Sequence, residues 1–174
     1  IEGLGGNEVE AIGDAELRRG DTRLTADRLK YFADTDEVEA TGNVRLRVAG
    51  DEATGPRLRL RIGDTTGILD QPTFRFGERS VKVRGERQRG PSLTAEPGAQ
   101  ARAQTQVETR GTAAALRFDG DEQYRMTDAS FTTCKPGQDD WFIEAGEIDI
   151  DMGREVGTVR DARLTFLGVS TPRI

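Results

Sequence analysis

Histidine is absent from this chain. Without an imidazole, Ser-His-Asp and Cys-His catalysis and any His-ligated metal are excluded within it. Cysteine occurs once, at Cys134, so no internal disulfide can form. A lone thiol is left three roles that composition does not separate: a buried small hydrophobe, a reactive nucleophile, or half of a bridge to a partner outside the chain. Apolar residues make up only 34% of the sequence, against the ~45–50% of an ordinary globular domain. No run approaches the ~20 apolar residues of a membrane-crossing helix, and none suits the core of a signal peptide. The 174-residue chain is therefore expected to be soluble as given, with any export signal already removed, and its length suits one domain, residues 1–174. A net charge of −6 argues against nucleic acid as a partner even though 22 residues are Arg.

What is present is alternation. Val44-Arg45-Leu46-Arg47-Val48, Leu58-Arg59-Leu60-Arg61-Ile62, Phe74-Arg75-Phe76, Leu116-Arg117-Phe118 and Ile148-Asp149-Ile150-Asp151-Met152 each place apolar and polar side chains in turn. Period two gives strands with one dry and one wet face. No convincing helical stripe occurs; the best candidate, 99–108, carries almost no large apolar residue. The expected fold class is all-β. Reversals fall at Arg19-Gly20-Asp21, Ala49-Gly50-Asp51, Ile62-Gly63-Asp64, Asp119-Gly120-Asp121 and Met152-Gly153, where Gly supplies positive φ. Asp119-Gly120 lacks the alternating Asp ligands and distal Glu of a calcium loop, and no metal or cofactor is expected. Residues 85–111, with Pro91 and Pro97 among Gly, Ser, Thr and Gln, read as a mobile loop or an edge segment.

A short signature recurs: Asp14-Ala15-Glu16-Leu17, Asn43-Val44-Arg45-Leu46, Pro72-Thr73-Phe74, Asp128-Ala129-Ser130-Phe131 and Asp161-Ala162-Arg163-Leu164. The first three start 29 residues apart. A unit of that length holds about two strands and cannot bury its own dry face, so units must stack and fold over one another. A flattened two-sheet jelly roll of antiparallel strands, or a short β-solenoid, satisfies this. Either leaves open edges on which another β-chain can add.

The inward positions follow from the alternation. Leu29, Tyr31, Val44, Leu46, Leu58, Leu60, Phe74, Phe76, Phe118, Ile148 and Phe166 are among them, with Leu17, Val48, Ile62, Val81, Val83, Leu116, Phe131, Ile143, Ile150 and Leu164. They fill a core, or part of them lines an apolar groove that takes acyl chains; alternation alone leaves both open. No paired carboxylates, phosphate loop or activated nucleophile points to an enzyme. The flanking Arg residues form a solvated face interspersed with Asp and Glu.

The segment Tyr124-Arg125-Met126-Thr127-Asp128-Ala129-Ser130-Phe131-Thr132-Thr133-Cys134-Lys135-Pro136-Gly137, followed by Asp140-Trp141 and Ala145-Gly146-Glu147-Ile148, resembles the OstA-like family, the N-terminal periplasmic domain of the lipopolysaccharide (LPS) assembly protein LptD. Leu24-Thr25-Ala26-Asp27-Arg28-Leu29-Lys30-Tyr31 and Ala40-Thr41-Gly42-Asn43-Val44 resemble the repeat this family shares with the bridge protein LptA. The resemblance implies a periplasmic β-jelly roll of an outer-membrane protein. Its groove, with the eleven residues from Leu29 to Phe166 named first above as candidates, would accept LPS acyl chains from an LptA-like bridge added at an edge strand. It would pass them to a C-terminal barrel that holds LptE. The resemblance also implies that Cys134 pairs with a cysteine of that barrel, which this sequence does not contain. The rival reading is a free-standing bridge subunit or an edge-pairing adaptor with no lipid site of its own.

Overall fold

The computed structural model describes residues 2–4, 7–48, 50–80, 106–154 and 156–173. They form fourteen strands and, among the described residues, no helix. The strands are β1 (Glu2–Leu4), β2 (Glu8–Arg19), β3 (Thr22–Phe32), β4 (Glu37–Val48), β5 (Asp51–Arg61), β6 (Thr66–Asp70), β7 (Thr73–Ser80), β8 (Gln106–Thr112), β9 (Ala115–Asp119), β10 (Gln123–Thr132), β11 (Trp141–Asp151), β12 (Val156–Arg160), β13 (Arg163–Phe166) and β14 (Val169–Ser170). Every pairing is antiparallel.

The recurring signature marks a corner. Asp14, Asn43, Gln71, Asp128 and Asp161 all have positive φ, between 42° and 52°. Asp and Asn tolerate that left-handed conformation better than other side chains bearing a Cβ, which is why one of them opens four of the five repeats; in the third, Gln71 takes the position just before Pro72. One extra residue there shifts the ladder register, as between Ile12 and Ala15 on β2 and between Thr41 and Val44 on β4. The shorter strands are halves of the same design: β6 runs through Gln71 into β7, and β12 through Asp161 into β13. Neighbouring corners brace one another. Asn43 Nδ2 donates to Asp27 Oδ2 at 2.9 Å, and a Cβ at Gly42, itself at φ 76°, would collide with that Asp27 carboxylate.

Corner beside corner, the sheet folds into two layers. In the first layer the register aligns Leu17, Leu24, Leu46, Ala53, Phe74, Gly111, Phe131, Ile143 and Leu164, one per strand across nine strands. In the second it aligns Ala11, Leu29, Ala40, Leu58, Leu69, Leu116, Met126, Ile148 and Val159. At ~4.8 Å per strand each row is roughly 38 Å long. The two rows face each other and supply most of the core. Gly111 is required where it lies, because a Cβ there would come within 2.6 Å of the Phe74 ring.

Three expectations are corrected. Residues 106–111 are strand rather than loop: they are the body of β8, paired with β7 along its length and with β10 only from Arg110 onward, so that 106–109 have one strand neighbour among the described residues. Their inner position is Gly111, so the strand shows no apolar alternation. The rest of 85–111, like Val81 and Val83, lies outside the described residues. Leu164 and Phe166 keep the inward parity, but at 40% and 55% exposure they are not covered, and Val48 at the tip of β4 is also exposed.

Candidate lipid-binding interior

The corners close one long side of the two-layer stack; the strand tips form the other. There the β2–β3 turn of the first layer meets the β5–β6 turn of the second. Arg19 Nη1 donates to the carbonyl of Ile62 at 2.9 Å and ties the layers together. Behind this tie lies a cavity of about 390 Å³ lined by Leu17, Leu24 and Leu46 from the first layer and Val38, Leu60 and Ile62 from the second. Its rim is polar: Arg19, Thr22, Thr65 and Asp121, with the Thr65 hydroxyl donating to Asp121 Oδ1. An apolar floor behind a polar rim is the arrangement that holds an amphiphile with its apolar part inside.

The eleven candidates separate into four groups. Leu46 and Leu60 line the cavity. Leu29, Val44, Leu58, Phe74, Phe118 and Ile148 are buried in the closed core. Phe76 is half-buried against it, and Tyr31 is half-buried on β3. The Tyr31 hydroxyl donates to Asp36 Oδ1 at 2.9 Å, and that bond holds the phenol pKa above its usual value. Phe76 stacks on Phe74 with centroids 5.0 Å apart. Phe166 lies outside the cavity, exposed on β13.

Leu24 and Val38 line the cavity without having been candidates for it. Leu24 was hidden by the register shift between Thr25 and Arg28, which reverses the inward phase of β3: Leu24 and Ala26 point in before it, Leu29 and Tyr31 after it. Val38-Glu39-Ala40 does alternate, but over only three residues. Arg19 escaped notice because its partner is a backbone carbonyl, which leaves no trace in sequence.

At the far end, Leu164 and Phe166 are joined by Leu167 and Val169, 67% and 75% exposed. Both apolar rows thus reach solvent there, since Val159 is exposed as well. Cys134 is a free, half-buried thiol on the loop beside this end, its Sγ 3.9 Å from the carbonyl of Trp141. Arg110 pins the loop by donating to the carbonyls of Cys134 and Lys135 at 3.0 and 3.1 Å and to the Asp139 carboxylate. Among the described residues no cluster suited to a metal ion occurs.

Residues 7–156 match the family described as LptA/(LptD N-terminal domain) LPS transport protein. The LPS-assembly protein LptD of Aromatoleum aromaticum is 36% identical over 169 residues, 97% of this chain and 19% of the relative. That of Azoarcus sp. is 37% identical over the same shares. The chain spans about a fifth of the length of these curated relatives. Among solved structures, LptH, the LptA homologous periplasmic component of the lipopolysaccharide transport device of Pseudomonas aeruginosa, aligns with a TM-score of 0.55 at 13% identity, over 80% of this chain and 81% of that one. At that identity the likeness is one of fold, the β-jelly roll expected from the repeats. With the family match covering most of its length, the chain belongs to the LptA and LptD N-terminal-domain family of LPS transport proteins.

Proposed function

We propose that this domain is a periplasmic conduit for LPS in the assembly of the outer membrane, without catalytic activity. Acyl chains lie between the two layers and the saccharide stays in water. The observation that carries this reading is the cavity itself: open volume between the first-layer row, at Leu24 and Leu46, and the tips of the second-layer strands, at Val38 and Leu60. A core serving stability alone packs densely; here Leu60 and Ile62 are only partly buried. A conduit must bind weakly and over a length, and rows that run the full width of the fold supply the length.

The edges support the partners. Strand β1 pairs only with residues 8–10 of β2. Residues 14–19 of β2 therefore carry no strand on their outer side among the described residues, and an LptA-like bridge protein adds there in this reading. The cargo leaves at the opposite end, past Leu164 and Phe166, toward the barrel and LptE of the full-length relatives. Cys134, on the loop beside that end, is the thiol that pairs with a barrel cysteine.

Photo-cross-linking residues at Leu46 and Leu60, with Arg47 as the outward control, test the reading on the purified chain with LPS. Cross-links confined to the two inward sites and competed by excess LPS are the expected result. Equal labelling inside and outside, or none, would leave an edge-pairing adaptor that carries no lipid.

A further inference from the structure

The outer faces of the two layers differ in charge. On the second layer the register row Glu10, Lys30, Glu39, Arg59 alternates in sign. On the first layer the equivalent row is Arg18, Arg23, Arg47, Glu52, Arg75, Arg110. Arg18 faces Arg23 and Arg23 faces Arg47, directly opposite one another in the ladder. Like charges so placed oppose pairing, and this in a chain whose net charge is −6.

The carboxylates near the β2–β4 end do not balance the row. Glu16 accepts from Arg23 at 2.9 Å and also from Arg18, and the two guanidinium groups hold its pKa down to about 2. Glu52 accepts from Arg47 at 2.6 Å. That bond from Arg47 lowers the Glu52 pKa; Arg45, in the neighbouring outer row, makes no direct ion pair among the described residues and adds to this lowering only through space. Arg23, Thr25, Arg45 and Arg47 surround a shallow depression of about 170 Å³. Three arginines thus line a hollow that also offers a hydroxyl, and of the two glutamates beside it one is shared with a fourth, Arg18.

This hollow lies back to back with the cavity. Leu24 sits between Arg23 and Thr25 on β3, and Leu46 between Arg45 and Arg47 on β4, so alternation sends the leucines into the cavity and the arginines to the other side of the same two strands. The lip between them is the β2–β3 turn. We infer that the Arg23–Arg45–Arg47 hollow binds the phosphate groups on the saccharide of the glycolipid whose acyl chains enter the cavity, the headgroup folding over that lip. Arginine suits this task, because its planar fork takes phosphate oxygens two at a time. The inference rests on the lipid reading above and adds the orientation of the bound molecule: headgroup toward the first layer.

The test compares binding of phosphorylated LPS and of its phosphate-free form to the wild-type chain, to R23Q/R45Q/R47Q, and to R59Q as a control on the second layer. Neutral glutamines remove like-charge repulsion, so the triple variant is expected to fold, and circular dichroism checks it. The expected result is at least a tenfold loss of affinity for phosphorylated LPS in the triple variant at low salt. That loss is to be absent for the phosphate-free glycolipid and for R59Q, and to shrink as salt rises. Cross-linking from Leu60 is expected to persist with the phosphate-free form. If the triple variant binds both forms as the wild type does while Leu60 still cross-links, the headgroup site is refuted and the lipid interior stands. If neither glycolipid cross-links at Leu60, the lipid reading fails and takes the orientation with it. Displacement of phosphorylated LPS by millimolar inorganic phosphate would reduce the hollow to a simple phosphate site and overturn the inference.

Discussion

The two halves of the molecule are built on one corner but finish differently. In the β2–β5 half, Asp14 and Asn43 turn the strands, and the layers part enough at their tips to enclose the cavity. In the half from β7 onward, Gln71, Asp128 and Asp161 make the same turn. There, however, Phe74, Phe118, Met126 and Ile148 fill the space between the layers, and Phe118 meets Tyr124 edge-on at 5.8 Å. The corner therefore sets the fold, whereas the size of the side chains on the inner rows sets what the fold can hold. Leucine and valine on both walls leave room; aromatic residues close it.

The largest effect that would break this contrast is in the cores. Phe74→Ala removes a ring buried among packed neighbours and is expected to cost about 3–5 kcal/mol. Leu60→Ala, at the cavity wall, is expected to fall below the ~2 kcal/mol floor of truncations at fully buried leucines, because the space it leaves already opens to solvent. Denaturant unfolding of both variants checks this. Equal losses would mean the cavity half is as tightly packed as the other.

The corners come next. Asn43→Val places a β-branched residue at φ 46°, costing about 1–2 kcal/mol in backbone strain, and it removes the bond to Asp27. Asn43→Gly relieves the strain and loses only the bond, about 0.5–1.5 kcal/mol. A valine variant as stable as the glycine one would show that the left-handed residue is not what turns the strand.

The corners were also the part of the fold most legible in sequence, because a positive φ favours Asp, Asn or Gly and leaves that mark at four of the five repeats, Gln71 being the exception. Alternation gave the inner rows for the same reason: period two is a local property. What alternation could not carry was the change of phase at a corner, which concealed Leu24, or a strand whose inner position is glycine, which concealed β8. The candidate site was only partly legible. Whether an inward residue meets a neighbour or open space depends on the opposite layer, so Leu46 and Leu58 look alike in sequence although one lines the cavity and the other is sealed.

Acid sharpens the comparison through the ion pairs on each half. Hydrogen bonds from Arg23 and Arg18 lower the Glu16 pKa to about 2 in the first half, and Arg125 lowers that of Asp149 in the second. A carboxylate whose folded pKa is depressed stabilises the fold above its unfolded pKa, near 4.5 for Glu16, and that contribution fades as pH falls toward the folded value. The melting temperature is expected to drop as pH is lowered from 5 toward 2, and to drop less in Glu16→Gln. An identical slope in that variant would remove Glu16 from the account.

The smallest effect is expected at the end of the second half, where Leu164, Phe166, Leu167 and Val169 stand in solvent. A polar substitution at a site this exposed changes stability by no more than about 0.5 kcal/mol, so Phe166→Ser should melt with the wild type. Contiguous exposed apolar side chains nevertheless favour association, and Thr165 beneath them is buried and bonded to Ser170 at 2.8 Å, so β13 keeps its place when Phe166 is changed. Sedimentation at rising concentration separates the two consequences: unchanged melting with less self-association is the expected pair of results. A large loss of stability instead would mean that Phe166 is held by the fold, and that the apolar rows end inside the domain rather than continuing past its edge.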